Sequence, residues 1–278
     1  MGSVFTKQEL LEFWSKVVDP NGIGMPAAIA QDIASFTGES IGEVLKKMET
    51  AKRDFKKLWN ESSIDMSDPR SIELFYKEQF TEAYELANWH CGRETGVPPL
   101  NYAYAARLAQ KKHLARALDF GAGIGTGSLC LASVGCEIHA ADVAQRLLGF
   151  VGHRFRKRGF TVILIDLCKR EKPKKKYYDL ITCFDVLEHI PNQLAKLHEL
   201  RTYLREGGYL LVNLFNNSFS ENQPMHISSA GDWLSLIRGS KMIPDWSFFW
   251  EDMQTLVRSR HAGVHNFFAS WIDHLQGL

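Results

Sequence analysis

Four aspartates and two histidines stand where their side chains can do chemistry. Asp119, Asp142, Asp166 and Asp185 each close or nearly close an apolar run, and His189 and His226 follow the last two such runs. After Asp119 comes glycine at every second position: Gly121, Gly123, Gly125 and Gly127. Without a Cβ, such a loop bends freely and brings its backbone N–H groups against a ligand. A carboxylate at the tip of the next strand can accept both hydrogen bonds of a ribose diol. Another can accept from the exocyclic amine of a purine. An imidazole that titrates near neutrality can take a proton from a hydroxyl. Any one of these acids is equally well explained as a turn or helix-capping residue. Four in succession at strand ends point instead to one ligand-binding edge.

The elements that must hold these residues alternate. Apolar runs over 117–120, 137–142, 161–166, 178–185 and 207–214 read as strands, and helical patterns such as Leu194, Leu197, Leu200 and Leu204 fall between them. Strand–helix alternation implies a parallel sheet with right-handed crossovers. The acids then share the C-terminal edge, where open α/β sheets bind ligands. Met242 to Trp250 and Met253 to Arg260 read as two closing strands, and Val264 to Leu275 as an amphipathic helix. Residues 4–112 show helical stripes instead, such as Leu10, Leu11, Phe13, Trp14 and Val17. The division expected is a helical lid subdomain over 1–112 and a ligand-binding domain over 113–278. A nicotinamide dinucleotide fingerprint, G-x-G-x-x-G, fails in both registers, because its third glycine falls on Thr126 or Ser128.

Leu118, Asp119, Gly121, Gly123 and Gly125 match motif I of the class I S-adenosylmethionine-dependent methyltransferases, which this segment resembles. Through Asp185-Val186-Leu187-Glu188-His189-Ile190-Pro191 the chain is similar to the small-molecule O-methyltransferases of the ubiquinone-biosynthesis type. The resemblance covers about residues 100–250. It implies a Rossmann-like, seven-stranded, mostly parallel sheet, S-adenosyl-L-methionine as cofactor, and a small organic methyl acceptor, with transfer to oxygen. By the same resemblance Gly121, Gly123 and the Asp119 side face the methionine moiety, Asp142 the ribose, and Asp166 and Leu167 the adenine, with Gly125 and Val143 also in the cofactor site. Phe184 lines the sulfonium, and Tyr102 reaches over the methionine end. Aromatic walls suit a sulfonium cation. Methyl transfer from sulfonium is a displacement in which positive charge is lost. The protein therefore contributes positioning and, for a hydroxyl acceptor, a base. His226 and then His189 are the candidates. Asp185, Glu188 and His189, at i, i+3 and i+4 of an expected helix, pose the alternative of a divalent ion; the expectation is a metal-free base. The alternative to an enzyme is a protein that binds this cofactor or another small ligand without turnover.

Composition bounds the partners. The chain has 278 residues, 45% hydrophobic and 23% charged, with net charge +1. That balance gives no global attraction to nucleic acid. Between His153 and Lys176 stand ten Lys/Arg against two acids, a pattern more often a solvated face than a nucleic-acid surface, and it lacks interleaved aromatics. No apolar run reaches membrane length. Five cysteines, with no CxxC pair, read as free thiols, so the expected compartment is the cytoplasm. Oligomeric state is left open by the sequence.

Overall fold

A computed structural model describes residues 5–77, 79–93, 96–213, 225–226, 233–244 and 253–258. Six helices precede the sheet: α1 (Lys7–Val18), α2 (Met25–Thr37), α3 (Ile41–Glu61), α4 (Pro69–Lys77), α5 (Thr81–His90) and α6 (Asn101–Lys112). Then come β1 (Arg116–Phe120), α7 (Thr126–Ser133), β2 (Glu137–Asp142), α8 (Gln145–Lys157), β3 (Ile163–Asp166), β4 (Tyr178–Cys183) and α9 (Gln193–Tyr203). The described chain closes with β5 (Leu204–Asn213), α10 (Trp233–Ser240), β6 (Ile243–Pro244) and β7 (Met253–Val257). Local signals start the first helices. Thr6 and Ser40 cap α1 and α3, and Glu9 and Glu43 return the bond to the cap backbone, satisfying amides the helix leaves open.

The seven strands run in the order β3-β2-β1-β4-β5-β7-β6. Strands β1 to β5 pair in parallel, and β7 is antiparallel to β5. This is the expected Rossmann-like, mostly parallel sheet. Chain direction across the sheet reverses between β1 and β4, so the loop after β1 opens at a topological switch point. Alternate strand residues face opposite layers. Ala117, Leu180 and Leu211 join a core with the N-terminal helices, whereas Leu118, Ile181 and Leu210 pack under α9.

The helices ahead of β1 share the first of these cores with the sheet: Leu10, Trp14, Ile29 and Tyr104 are buried with Leu129, Phe150 and Leu180. A third, smaller core of Phe55, Trp59, Ile72, Phe75, Tyr76 and Met225 joins α3 and α4 to the segment after β5.

Three sequence expectations change. The fifth strand begins at Leu204, not Gly207, because Leu204 and Tyr178 pair ahead of a register shift. The strand expected from Met242 spans Ile243–Pro244 among the described residues. The helix expected to carry Asp185, Glu188 and His189 is absent. Asp185 takes a left-handed φ of 55°, Leu187–His189 form a single 3-10 turn, and α9 starts at Gln193, beyond Pro191. The expected helix over Val264 to Leu275 lies outside the described residues.

Candidate active site

At the switch point the Gly loop is clamped from four sides. A Cβ at Gly121, whose φ is +77°, would stand 2.1 Å from Val186, ahead of the 3-10 turn. At Gly127 a Cβ would strike the Tyr102 ring at 2.4 Å. A Cβ at Gly123 would meet Leu86 of α5 at 3.0 Å, and one at Gly125 would meet Val151 of α8 at 2.8 Å. Glycine is thus demanded at Gly121 by backbone and neighbour together, and the loop is held in one shape by side chains from distant elements.

A cavity of about 600 Å³ opens beside this loop. Of the residues the sequence singled out, Tyr102, Gly121, Gly123, Asp142, Val143, Leu167, Phe184 and His189 line it. Asp119, Gly125, Asp166 and His226 are not in its wall. Asp119 is buried and braces the loop from behind, accepting from the Ser128 hydroxyl at 2.6 Å and the Thr182 hydroxyl at 2.8 Å. Burial nevertheless pushes its carboxyl up to about 6. Asp142, in the cavity wall, accepts from the Gly123 amide at 2.8 Å and the Ala144 amide at 2.9 Å, which fixes its carboxylate. Each oxygen keeps a second lone pair for a ligand. Asp166 accepts from the Gln145 amide and the Lys169 backbone N–H.

Aromatic rings wall the loop end. Tyr102 meets Phe184 edge-on at 5.1 Å and His90 at 5.7 Å between centroids. Burial and the nearby Arg154 hold His90 down to about 3, so its imidazole is neutral.

The other end is built from residues far apart in sequence. The Tyr76 hydroxyl lies 3.4 Å from His189 Nδ1, and His189 packs edge-on against His226 at 5.0 Å. Burial, then His226, lowers His189 to about 3. Burial also lowers His226. Glu188 is pushed up to about 8 by burial and then by Asp185. Its Oε2 and His226 Nδ1 are buried without hydrogen-bond partners among the described residues. Ligand atoms of Glu188, His189 and His226 all lie within 4.8 Å of one another. Such a corner can hold a proton-accepting imidazole against a hydroxyl or gather three ligands around a cation.

Several contributors escaped the sequence reading. Glu82 of α5 lines the cavity, with its carboxyl pushed well above the usual range by burial and then by Asp142. Tyr76 lines it from α4. The basic stretch also finds partners. Arg154, Lys157 and Arg158 all donate to Asp32 of α2, at 3.1, 2.9 and 2.7 Å. Fully buried Arg154 further donates to the Ile124 carbonyl inside the Gly loop at 2.6 Å. Only spacing over more than a hundred residues separates Asp32 from these bases, a signal no local pattern carries.

Fold and site together define a doubly wound α/β protein with a ligand cavity at its switch point. A family profile described as "Methyltransferase domain" matches residues 99–261. The chain belongs to this methyltransferase domain family. It is 29% identical over 161 residues to the ubiquinone biosynthesis O-methyltransferase of Burkholderia multivorans, covering 55% of this chain and 65% of that one. The enzyme of the same name from Marinobacter nauticus is 24% identical over 211 residues, covering 74% of this chain and 84% of its own. The chain spans 44% of the Paraburkholderia xenovorans and Paraburkholderia phytofirmans relatives of that name. An S-adenosylmethionine-dependent methyltransferase structure from Clostridium acetobutylicum aligns with a TM-score of 0.46 at 14% identity, covering 57% of this chain and 90% of that one. No helix among the described residues is long and apolar enough to cross a membrane.

Proposed function

We propose that the chain transfers the methyl group of S-adenosyl-L-methionine to an oxygen of a small organic acceptor. One observation carries the reading: a single cavity runs from the Gly loop and Asp142 to the imidazole of His189. The residues present fit the cofactor. Asp142 has lone pairs for a ribose diol, Leu167 offers an apolar surface to adenine, and Tyr102 and Phe184 give a sulfonium aromatic faces. The relatives' names as O-methyltransferases support oxygen as the acceptor atom. The cofactor supplies an electrophilic methyl group. The chain's own work is to align acceptor oxygen and methyl carbon, to keep water out, and to take the acceptor proton.

For that proton His189 is the better-placed base, since it lines the cavity while His226 backs it. Burial holds its pKa down to about 3, so it can take the proton only if the bound acceptor raises its basicity or is itself acidic. Sequence alone favoured His226. The Tyr76 hydroxyl beside Nδ1 would orient the ring. Incubation with labelled S-adenosylmethionine and a panel of phenols, quinols and carboxylates tests the proposal. Label is expected in a phenol or quinol. A protein that binds the cofactor tightly and methylates nothing would favour a binding function without turnover.

A second reading of the same corner has its own support. Glu188, His189 and His226 cluster closely enough to bind a divalent cation, and two of their polar atoms lack partners among the described residues. When bound, such an ion would hold the acceptor oxygen and lower its pKa. Loss of turnover on EDTA dialysis, restored by Mg²⁺ or Mn²⁺, would favour this reading; indifference to EDTA would favour the base alone.

A further inference from the structure

One acid in the cavity wall has no part in the reaction proposed above. Glu82 comes from α5, not from the strand ends that carry Asp142 and Asp166. Helix α5 lines the cavity with Glu82, Leu86, Trp89 and His90, which share one helical face. Leu86 is the residue at Gly123, and His90 meets Tyr102. Glu82 stands one turn, about 6 Å, back from Leu86 toward the start of the helix. That start, at Thr81, follows closely on α4, which ends at Lys77 and carries Tyr76. Of the charges around the Tyr76 hydroxyl, that of Glu82 weighs most, ahead of Glu85, Glu188 and Asp142. Tyr76 in turn borders His189. Glu82 therefore belongs with the acceptor end of the cavity.

Its carboxyl has no counter-charge. Glu82 makes no hydrogen bond or ion pair among the described residues, and the charges that reach it, Asp142 and Glu85, are both acids. The cations of the cavity wall are engaged elsewhere or turned to solvent: Arg170 and Lys172 are exposed, and Lys196 bonds Glu199 at 2.6 Å. An acid that faces a cavity among other acids is held in its charged form only by a cation, and here the ligand must bring it. An aromatic neighbour such as Tyr76 favours the same charge. The sulfonium is served at the other end, by Tyr102 and Phe184.

We propose that Glu82 anchors a protonated amine of the acceptor, so that the substrate is an amino-bearing phenol or alcohol reaching from Glu82, past Tyr76, to His189. The assignment rests on reading the Tyr76–His189 corner as the acceptor site, and the experiment separates the two. Calorimetry in saturating S-adenosylhomocysteine compares three phenols of similar size: tyramine, a cation; tyrosol, its neutral alcohol counterpart; and 4-hydroxyphenylacetate, an anion. Tyramine should bind about 10- to 100-fold tighter than tyrosol, and the anion weakest of the three. Glu82→Gln should bring tyramine to within about 2-fold of tyrosol and leave S-adenosylhomocysteine affinity within about 2-fold of the parent. Glu82→Lys should reverse the order and favour 4-hydroxyphenylacetate.

Tyramine that binds the parent no tighter than tyrosol overturns the assignment, as does a failure of all three phenols to bind. A Glu82→Gln variant that loses S-adenosylhomocysteine would make Glu82 a cofactor residue and overturns it equally. Should the variants fail to fold, the order of the three phenols on the parent decides. A parent that does not bind S-adenosylhomocysteine overturns the cofactor reading of the cavity. Normal S-adenosylhomocysteine binding without a preference for the amine overturns the amine anchor alone.

Discussion

The two ends of the cavity are made of different material. The Gly-loop end is backbone: strand tips, a glycine turn and a helix N-terminus, all from a stretch of about thirty residues and held by buried aspartates. The His189 end is side chains: Tyr76 from α4, His189 at the end of the 3-10 turn and His226 after β5, joined by ring contacts. Backbone at strand ends is fixed by the sheet, so that end is shared by fold and can serve one cofactor across many acceptors. Side chains on connecting segments are free to vary with the acceptor. Under the proposed function, cofactor recognition would fall to one end and reaction specificity to the other.

The sharpest way to break that division is to remove an imidazole. His189→Ala should lower kcat by about 10²–10⁴-fold and leave cofactor affinity nearly intact, because only the side-chain end is touched. His226→Ala should cost less, since His226 meets the cavity through His189. Steady-state kinetics with a responsive acceptor, beside calorimetry on the same variants, reads both. Equal loss of cofactor binding in either variant would join the two ends into one site and end the comparison.

What was legible from sequence follows the same line. The Gly loop, Asp142 and the strand alternation could be read because each signal is local: a period of two, a glycine spacing, an acid at the end of an apolar run. Motif spacing also led to His189, and the resemblance to His226, but neither led to their partners. Tyr76 and His189 stand 113 residues apart, and Asp32 and Arg154 122 apart. Such pairs exist only once the chain has folded. The i, i+3, i+4 spacing of Asp185, Glu188 and His189 misled, because the spacing describes a helix and Asp185 adopts a left-handed φ that interrupts one. Helical spacing without a cap is weak evidence for a helix.

Arg154 tests how far the Gly-loop end depends on the N-terminal helices. Arg154→Met keeps the volume of the stem and removes a fully buried charge that bonds Asp32, Ile124 and Thr126. Breaking one side of a buried ion pair costs about 3–5 kcal/mol. Lys157 and Arg158 still serve Asp32, so the low end, about 3 kcal/mol, is expected in urea denaturation. A loss under about 1 kcal/mol would mean that the network is not what ties α2 to the loop.

Asp142→Ala should weaken S-adenosylhomocysteine by about 2 kcal/mol, through loss of paired ribose bonds and of the support given to the Gly123 amide. Titration calorimetry decides it, and unchanged affinity would remove the ribose assignment. NAD and NADH should compete poorly in a displacement titration.

The smallest effect concerns Asp119, the buried acid under the loop. Its folded carboxyl is pushed up to about 6 by burial, above the ordinary value of an unfolded aspartate. The folded protein therefore holds this proton more tightly than the unfolded chain, and stability from this group falls as pH rises from about 4 to 6. Asp32 is the opposite case. Its arginine and lysine partners outweigh burial and hold it at about 2, so its contribution is present above pH 4 and lost as pH falls through 2. His90 and His189, held near 3, add a further loss of stability as pH falls below the ordinary histidine range. A parent profile would mix all of these, so the measurement is a difference. Asp119→Asn removes the titrating group and keeps one oxygen for the Ser128 and Thr182 hydroxyls. Relative to the parent, this variant should gain about 2 kcal/mol between pH 4.5 and pH 7, read from paired urea unfolding curves. A difference that does not change with pH would show that the loop end carries no strained charge, and that Asp119 braces it at no electrostatic cost.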